Sequence, residues 1–293
     1  MLEGRIVKAL SGFYYVQSDD RIYQCKGRGV FRNQNITPLV GDFVRFDIDN
    51  EDEGYIMEIK ERKNELVRPP IANIDQAIIV SSAQSPEFSS LLLDRFLILV
   101  ESKRIQPVIF ITKIDKLQDD NRVEIDSYKE QYEKIGYEVK MLTTKDPMTF
   151  TGVKDLFKGK TSVIAGQSGV GKSALLNVLN PTLLLETGEI SKSLGRGRHT
   201  TRHVELIAMN GGLVADTPGF SSMKFDNIEA EELASCFPEM RERAPSCKFR
   251  GCMHNKEPNC AVKKAVADGE ITENRYHHYL RFLEEINSRK PRY

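Results

Sequence analysis

Thr161-Ser-Val-Ile-Ala-Gly-Gln-Ser-Gly-Val-Gly-Lys-Ser-Ala-Leu-Leu-Asn177 is the stretch on which the reading of this 293-residue chain turns. An apolar run, Val163, Ile164 and Ala165, leads into Gly166-Gln167-Ser168-Gly169-Val170-Gly171-Lys172-Ser173, and Ala174, Leu175 and Leu176 then begin a helix. Strand, GxxxxGK[ST], helix is the order of a P-loop. Glycines at 166, 169 and 171 let the backbone turn and come close to an anion, so that successive N–H groups face phosphate oxygens. The following helix adds the positive end of its dipole. Lys172 is placed to reach the outer phosphates, and the Ser173 hydroxyl to ligate the magnesium that bridges them.

Working outward, Thr112-Lys113-Ile114-Asp115 closes an apolar run from Pro107. A ligand site belongs at such a strand end in an open α/β sheet. The tetrapeptide resembles the NKxD signature of GTPases, with threonine in place of asparagine. A carboxylate at Asp115 can accept from both N1–H and the exocyclic amine of guanine; alone, it can equally cap a helix. Thr143 and Thr144 end the next apolar run and fall where backbone would meet the guanine carbonyl. Downstream, Asp216-Thr217-Pro218-Gly219 resembles the DxxG element, in which Asp216 holds magnesium through water and the Gly219 N–H meets the γ-phosphate. Between P-loop and DxxG, either Thr200 or Thr201 suits the switch threonine that closes over magnesium.

The order is therefore base reader, P-loop, switches, whereas a standard small GTPase runs P-loop, switches, base reader. One nucleotide site in a circularly permuted domain accounts for all three pieces, and permutation costs little where termini lie close together at a surface. It also sends the chain from the second switch straight into the C-terminal segment, which would receive any nucleotide-driven movement.

Residues 5–63 alternate in short runs divided by turn formers, five strands in all, as in an OB-type β-barrel. Tyr14, Tyr15, Tyr23, Phe31, Arg28 and Arg32 are candidate RNA contacts there, with at least half of the aromatics expected to fill the barrel. Asn64 to Pro70, ending in a double proline, reads as a linker. From Ile71 a β/α rhythm predicts six strands in a mostly parallel sheet covered on both faces. Near the C-terminus, Cys247, Cys252, His254 and Cys260 form a Cys₃His set of the kind that holds structural zinc in a tetrahedron. Around them lies a loop too small to build a core unaided. Cys25 and Cys236 lack such company and read as structural.

The formal net charge is zero, yet residues 1–45 carry seven Lys/Arg against four Asp/Glu, and residues 241–293 carry twelve against seven. Basic ends on an acidic middle suit contact with a polyanion such as RNA, and equally suit solvated faces without a partner. No apolar run approaches the roughly 20 residues of a membrane span, and no signal-peptide core stands at the N-terminus, which predicts a cytoplasmic location without membrane contact.

Together these motifs resemble the RsgA (YjeQ/YloQ) family of circularly permuted GTPases along essentially the whole chain. The resemblance implies a multidomain protein: an OB barrel at 1–65, a permuted P-loop GTPase domain at 71–222 and a mainly helical zinc-binding module at 223–293. It implies GTP hydrolysis to GDP, stimulated by the 30S ribosomal subunit, in late assembly of that particle and in contact with its 16S rRNA. The GTPase glutamine after DxxG is replaced by Phe220, which cannot orient water, so slow intrinsic turnover is expected. The resemblance implies His199 as the water-positioning group; the alternative is a phosphate contact shared with Arg196, Arg198 and Arg202. A rival function is a nucleotide-switched RNA-binding module whose hydrolysis is incidental. An ATP-using enzyme is disfavoured by Asp115. Nothing resembling a heptad repeat argues against a monomer.

Overall fold

In the computed structural model the described residues are 1–29, 31, 36–50, 52–67, 69–181, 204–216 and 223–289, with the backbone alone at Asn50 and Asp216. His199, Thr200, Thr201, Gly219 and Phe220 lie outside them, as do Arg32, Arg196, Arg198 and Arg202.

Five strands, β1 (Leu2–Leu10), β2 (Phe13–Ser18), β3 (Arg21–Gly27), β4 (Phe43–Asn50) and β5 (Glu53–Ile59), form the N-terminal barrel. Their order, β1-β2-β3-β5-β4, closes by a β1–β4 pairing. Alternation does the work: Ile6, Val16, Val44, Phe46 and Ile56 point inward and are fully buried. Tyr23 and Phe31 are also buried in this core, while Tyr14 and Tyr15 are half-buried and Arg28 is exposed.

The expected linker is structured. β6 (Glu65–Val67) and β7 (Pro70–Ala72) make a two-stranded ribbon in which Leu66 faces Ile71, both buried. Its chain is fastened to the barrel: Ala72 N donates to Val40 O at 2.9 Å, and the Arg5 guanidinium donates to the carbonyls of Gly41 and Asn73 at 3.3 and 3.1 Å. Pro70 is tolerated because it begins an edge strand and owes no ladder donor. The two apolar side chains, rather than the two prolines, decide the segment.

The six predicted β/α strands follow as β8 (Gln76–Ser82), β9 (Gln106–Thr112), β10 (Glu138–Leu142), β11 (Thr161–Ala165), β12 (Val204–Met209) and β13 (Gly212–Asp216). They run β10-β9-β8-β11-β13-β12, with β12 alone antiparallel to its neighbour β13. Successive residues go to opposite faces. Ala77, Ile79, Ile109 and Ile111 pack under α1 (Ser90–Glu101) and α2 (Asp119–Ile135), whereas Ile78, Val80, Val108 and Phe110 pack with α3 (Lys172–Leu179). Before β11 lie two 3₁₀ turns, Pro147–Phe150 and Lys154–Phe157.

Strand β1 also pairs antiparallel with β12, Lys8 opposite Glu205 and Ala9 opposite Val204, so barrel and nucleotide sheet form one eleven-stranded sheet. The C-terminal part contains α4 (Ala230–Leu233), α5 (Pro238–Arg241), α6 (Ala261–Ala267) and α7 (Glu273–Asn287) around a core that includes Phe237, Tyr279 and Phe282 and takes in Ile98 of α1. Among the described residues no helix is long and apolar enough to cross a membrane.

Candidate functional site

All five parallel strands end on one edge of the sheet, and the predicted nucleotide-site residues that lie among the described ones gather there. β11 delivers the P-loop. Gly166 has φ +144°, and a Cβ there would lie 2.2 Å from Val80 O, so no other residue fits without moving β8. Gly171, at φ +97°, is the left-handed cap from which α3 starts. Val170 is buried and anchors the loop, while Gln167, Ser168 and Gly169 are exposed along it. The Lys172 ammonium curls back to donate to the carbonyls of Gly166 and Gln167 at 2.8 and 2.7 Å, and burial lowers its pKa. Ser173 is buried at the start of α3, and Ala174 is half-buried beside it.

Strand β9 lies two strands away and reaches the loop through side chains. Thr112, buried, donates its hydroxyl to Val170 O at 2.6 Å, with Ser81 O also 3.2 Å away. Threonine thus ties base-side strand to P-loop in the position where asparagine is usual. Lys113, left-handed at φ 58°, extends its stem over the loop and donates to Gly169 O at 2.6 Å and to Ser85 O. Asp115 sits one turn on. Its carboxylate accepts from the Thr143 hydroxyl at 2.6 Å and pairs with the Lys145 ammonium at 2.7 Å; these contacts, Lys145 foremost, hold it below the usual carboxylate range. An ionised acceptor with fixed orientation is what recognition of two adjacent N–H donors requires. Thr144 is exposed beside it, and Asp216 ends β13 on the same edge. Lys145 and Ser85 were not legible as site residues. Lys145 follows the two predicted threonines directly, but a lone surface lysine carries no signal; Ser85 lies in a loop without a motif.

The second site is the cysteine cluster. The ligand atoms of Cys247, Cys252, His254 and Cys260 all lie within 4.8 Å of one another. His254 Nδ1 is 3.6 Å from Cys247 Sγ and 3.3 Å from Cys260 Sγ, and the two sulfurs are 3.9 Å apart. A tetrahedral ion with about 2.3 Å bonds to sulfur and about 2.0 Å to nitrogen would set edges of this size. Burial lowers the His254 pKa, favouring the neutral imidazole that ligation needs, and raises that of the Cys252 thiol, a penalty a cation reverses. The knuckle is held from outside: Glu257 accepts from the N–H groups of Met253 and Asn255 at 2.7 and 2.9 Å, and from α7 Tyr276 and Tyr279 donate to the carbonyls of His254 and Met253 at 2.7 and 2.6 Å. The four residues fit a bound metal ion with no position left open for substrate. Cys25 and Cys236 are buried away from it, their thiols each pushed up to about 11 by desolvation.

A P-loop preceded in the chain by its base-reading strand, with the DxxG strand after it, defines the class: a circularly permuted P-loop GTPase. Sequence profiles described as the RsgA GTPase and the RsgA N-terminal domain match residues 59–226 and 3–56. The chain belongs to the RsgA family. It is 67% identical to small ribosomal subunit biogenesis GTPase RsgA 2 of Oceanobacillus iheyensis over the full length of both chains. It is 59% identical to small ribosomal subunit biogenesis GTPase RsgA of Bacillus subtilis, again over the full length of both. A solved structure of YloQ, described as a circularly permuted GTPase, superposes with a TM-score of 0.86 at 54% identity, covering 100% of this chain and 97% of that one. YjeQ from Thermotoga maritima gives 0.87 at 37% identity with 99% of each chain covered.

Proposed function

We propose that this chain is a ribosome-stimulated GTPase of late small-subunit maturation, binding GTP and the 30S particle through its 16S rRNA and hydrolysing GTP to GDP and phosphate. The observation that carries the reading is the juncture of Asp115, Lys113 and Thr112 with the P-loop, which couples a guanine-reading carboxylate to a phosphate cradle. The names printed for the relatives supply the small subunit. In this reading Gly166 to Ala174 wrap the phosphates, Asp115 reads the base with Thr143 and Thr144 beside it, and Ser173, Asp216 and Thr200 or Thr201 attend magnesium. Lys172, already desolvated against the loop, exchanges two backbone carbonyls for phosphate oxygens and stabilises charge as it develops. His199 positions the attacking water in place of the glutamine that Phe220 displaces. Gly219 meets the γ-phosphate.

Zinc is the proposed occupant of the Cys₃His cluster, on the softness of three thiolates and the four-ligand geometry. It would act as a staple for the knuckle, not in catalysis. We further assign the units as 1–65, 71–222 and 223–293, acting as a cytoplasmic monomer. Single-turnover GTP hydrolysis, with and without purified small subunits, tests the whole. Acceleration by the particle, lost in His199→Ala with GTP affinity retained, is expected. An unaccelerated wild type would leave a nucleotide-switched RNA-binding module, and full acceleration of His199→Ala would remove the catalytic role.

A further inference from the structure

Beyond β13 the next described residue, Met223, enters the C-terminal module under restraint. Met223 stands seven positions beyond Asp216, and from there to Ile228 the backbone is held from two sides. Arg95, on the nucleotide-domain helix α1, donates to Met223 O at 3.0 Å and makes a two-pronged pair with Glu285 of α7, one prong at 2.8 Å. Its guanidinium also lies over two rings, 4.6 Å from the centroid of Phe225 and 4.9 Å from that of Phe282. Those rings meet edge-on at 5.1 Å. From α7's far end, Arg289 donates to the carbonyls of Phe225 and Ile228 at 2.6 and 2.5 Å. The same α7 holds the metal knuckle through Tyr276 and Tyr279. One helix therefore grips both the knuckle and the segment Met223–Ile228.

A planar, always charged fork with five donors can meet both oxygens of Glu285 and a backbone carbonyl while stacking on aromatic faces; lysine cannot. Arg95 is 18% exposed, so these contacts are little screened by water. We propose that Arg95 is a positioning residue for GTP turnover: it locks the segment Met223–Ile228 to α7, so that a partner's contact with the knuckle is transmitted to the DxxG end of the nucleotide site. Through the same lock, nucleotide state in turn moves the segment. Among the described residues Arg95 touches no predicted nucleotide ligand, which separates its role from binding.

The stimulated arm of the test rests on the small-subunit reading above. In Arg95→Met, subunit-stimulated kcat should fall at least tenfold while KM for GTP and unstimulated turnover stay within twofold; Arg95→Lys should restore part of it. Glu285→Gln, which leaves the Met223 contact in place, should show a smaller loss and serves should Arg95→Met fail to fold. Stimulated kcat within twofold of wild type in both variants would overturn the proposal. The second arm needs no ribosome. The chain has no tryptophan, so Met223→Trp reports on the segment alone. Its emission should differ between GDP and a non-hydrolysable GTP analogue, and the difference should vanish when Arg95→Met is added and shrink when Glu285→Gln is. An unchanged difference would overturn the proposal even if the wild type proves indifferent to subunits, an outcome that by itself would strike only the small-subunit reading.

Discussion

The barrel and the C-terminal module are fastened to the nucleotide domain by different means. At the β1–β12 seam the barrel is joined by main chain, and among the described residues the one ion pair across that seam, Lys8–Glu205, is 30% and 41% exposed. The C-terminal module is joined by buried side chains. Asp94 of α1 accepts from Arg275 at 2.5 Å, from His278 at 2.6 Å and from Tyr132 of α2 at 2.7 Å, and Arg275 forks onto Glu239 at 2.8 and 3.1 Å. Asp94, Arg275 and Glu239 are all less than 9% exposed. A backbone seam tolerates any side chain that keeps a strand. A buried charge network satisfied at every member fixes one docking geometry and fails when one member goes.

The largest effect should therefore come from Asp94→Ala. It leaves Tyr132 and His278 without their partner and unbalances Arg275, at a cost of about 3–5 kcal/mol. Urea unfolding should show that loss, with the C-terminal module melting ahead of the rest. A cost below about 1 kcal/mol would mean that the network contributes little beyond its apolar surroundings.

That network also marks where sequence reading stops. Strand positions were legible because alternation is local: Ile78 and Val80 pack on one face, Ala77 and Ile79 on the other. The P-loop, the base-reading tetrapeptide and the Cys₃His set were legible because each chemistry demands particular residues at short spacing. Asp94 and Arg275 lie 181 positions apart, and an aspartate within an amphipathic helix reads as surface until another unit covers it. The β1–β12 seam leaves no side-chain signature, since backbone pairs with backbone whatever the residues. The ribbon at Glu65–Ala72 was misread because Pro69-Pro70 is a strong punctuation mark and three-residue strands are too short to alternate visibly. His199, Thr200, Thr201 and Gly219 stand on motif and resemblance, since they lie outside the described residues.

A smaller, pH-dependent effect belongs to the same joint. Glu101, at the end of α1, is 12% exposed and bonded to Arg241 at 3.2 Å, yet burial pushes its pKa above the ordinary value. The native state then holds a proton that the unfolded chain, with a glutamate near about 4.3, has already released. Stability from this group is complete below the unfolded value and is lost as pH rises through the raised native one. Glu101→Gln should consequently gain on the wild type in thermal melts as pH climbs from about 4 through the raised native value, and hold level beyond. A difference that does not vary with pH would show that Arg241 compensates the buried charge in full.

The smallest effect should come from the other joint. Lys8→Ala removes the only ion pair bridging β1 and β12 among the described residues, and with it the contact of the ammonium with the Tyr15 ring, 6.0 Å away. Both ends of the pair are well hydrated, so Coulomb attraction gained on pairing is nearly matched by hydration given up and side-chain order imposed, and the change should cost less than about 1 kcal/mol. The Ala9–Val204 and Lys8–Glu205 ladder positions survive it, because an alanine still presents its N–H and carbonyl to the partner strand. The same argument makes the outcome insensitive to salt beyond the loss of that one pair: unfolding midpoints of wild type and variant should converge as ionic strength rises past about 0.15 M, where the Debye length shrinks to about 8 Å. A loss that matched Asp94→Ala, or one that persisted at high salt, would show that the seam depends on its side chains after all, and the contrast between the two joints would fail.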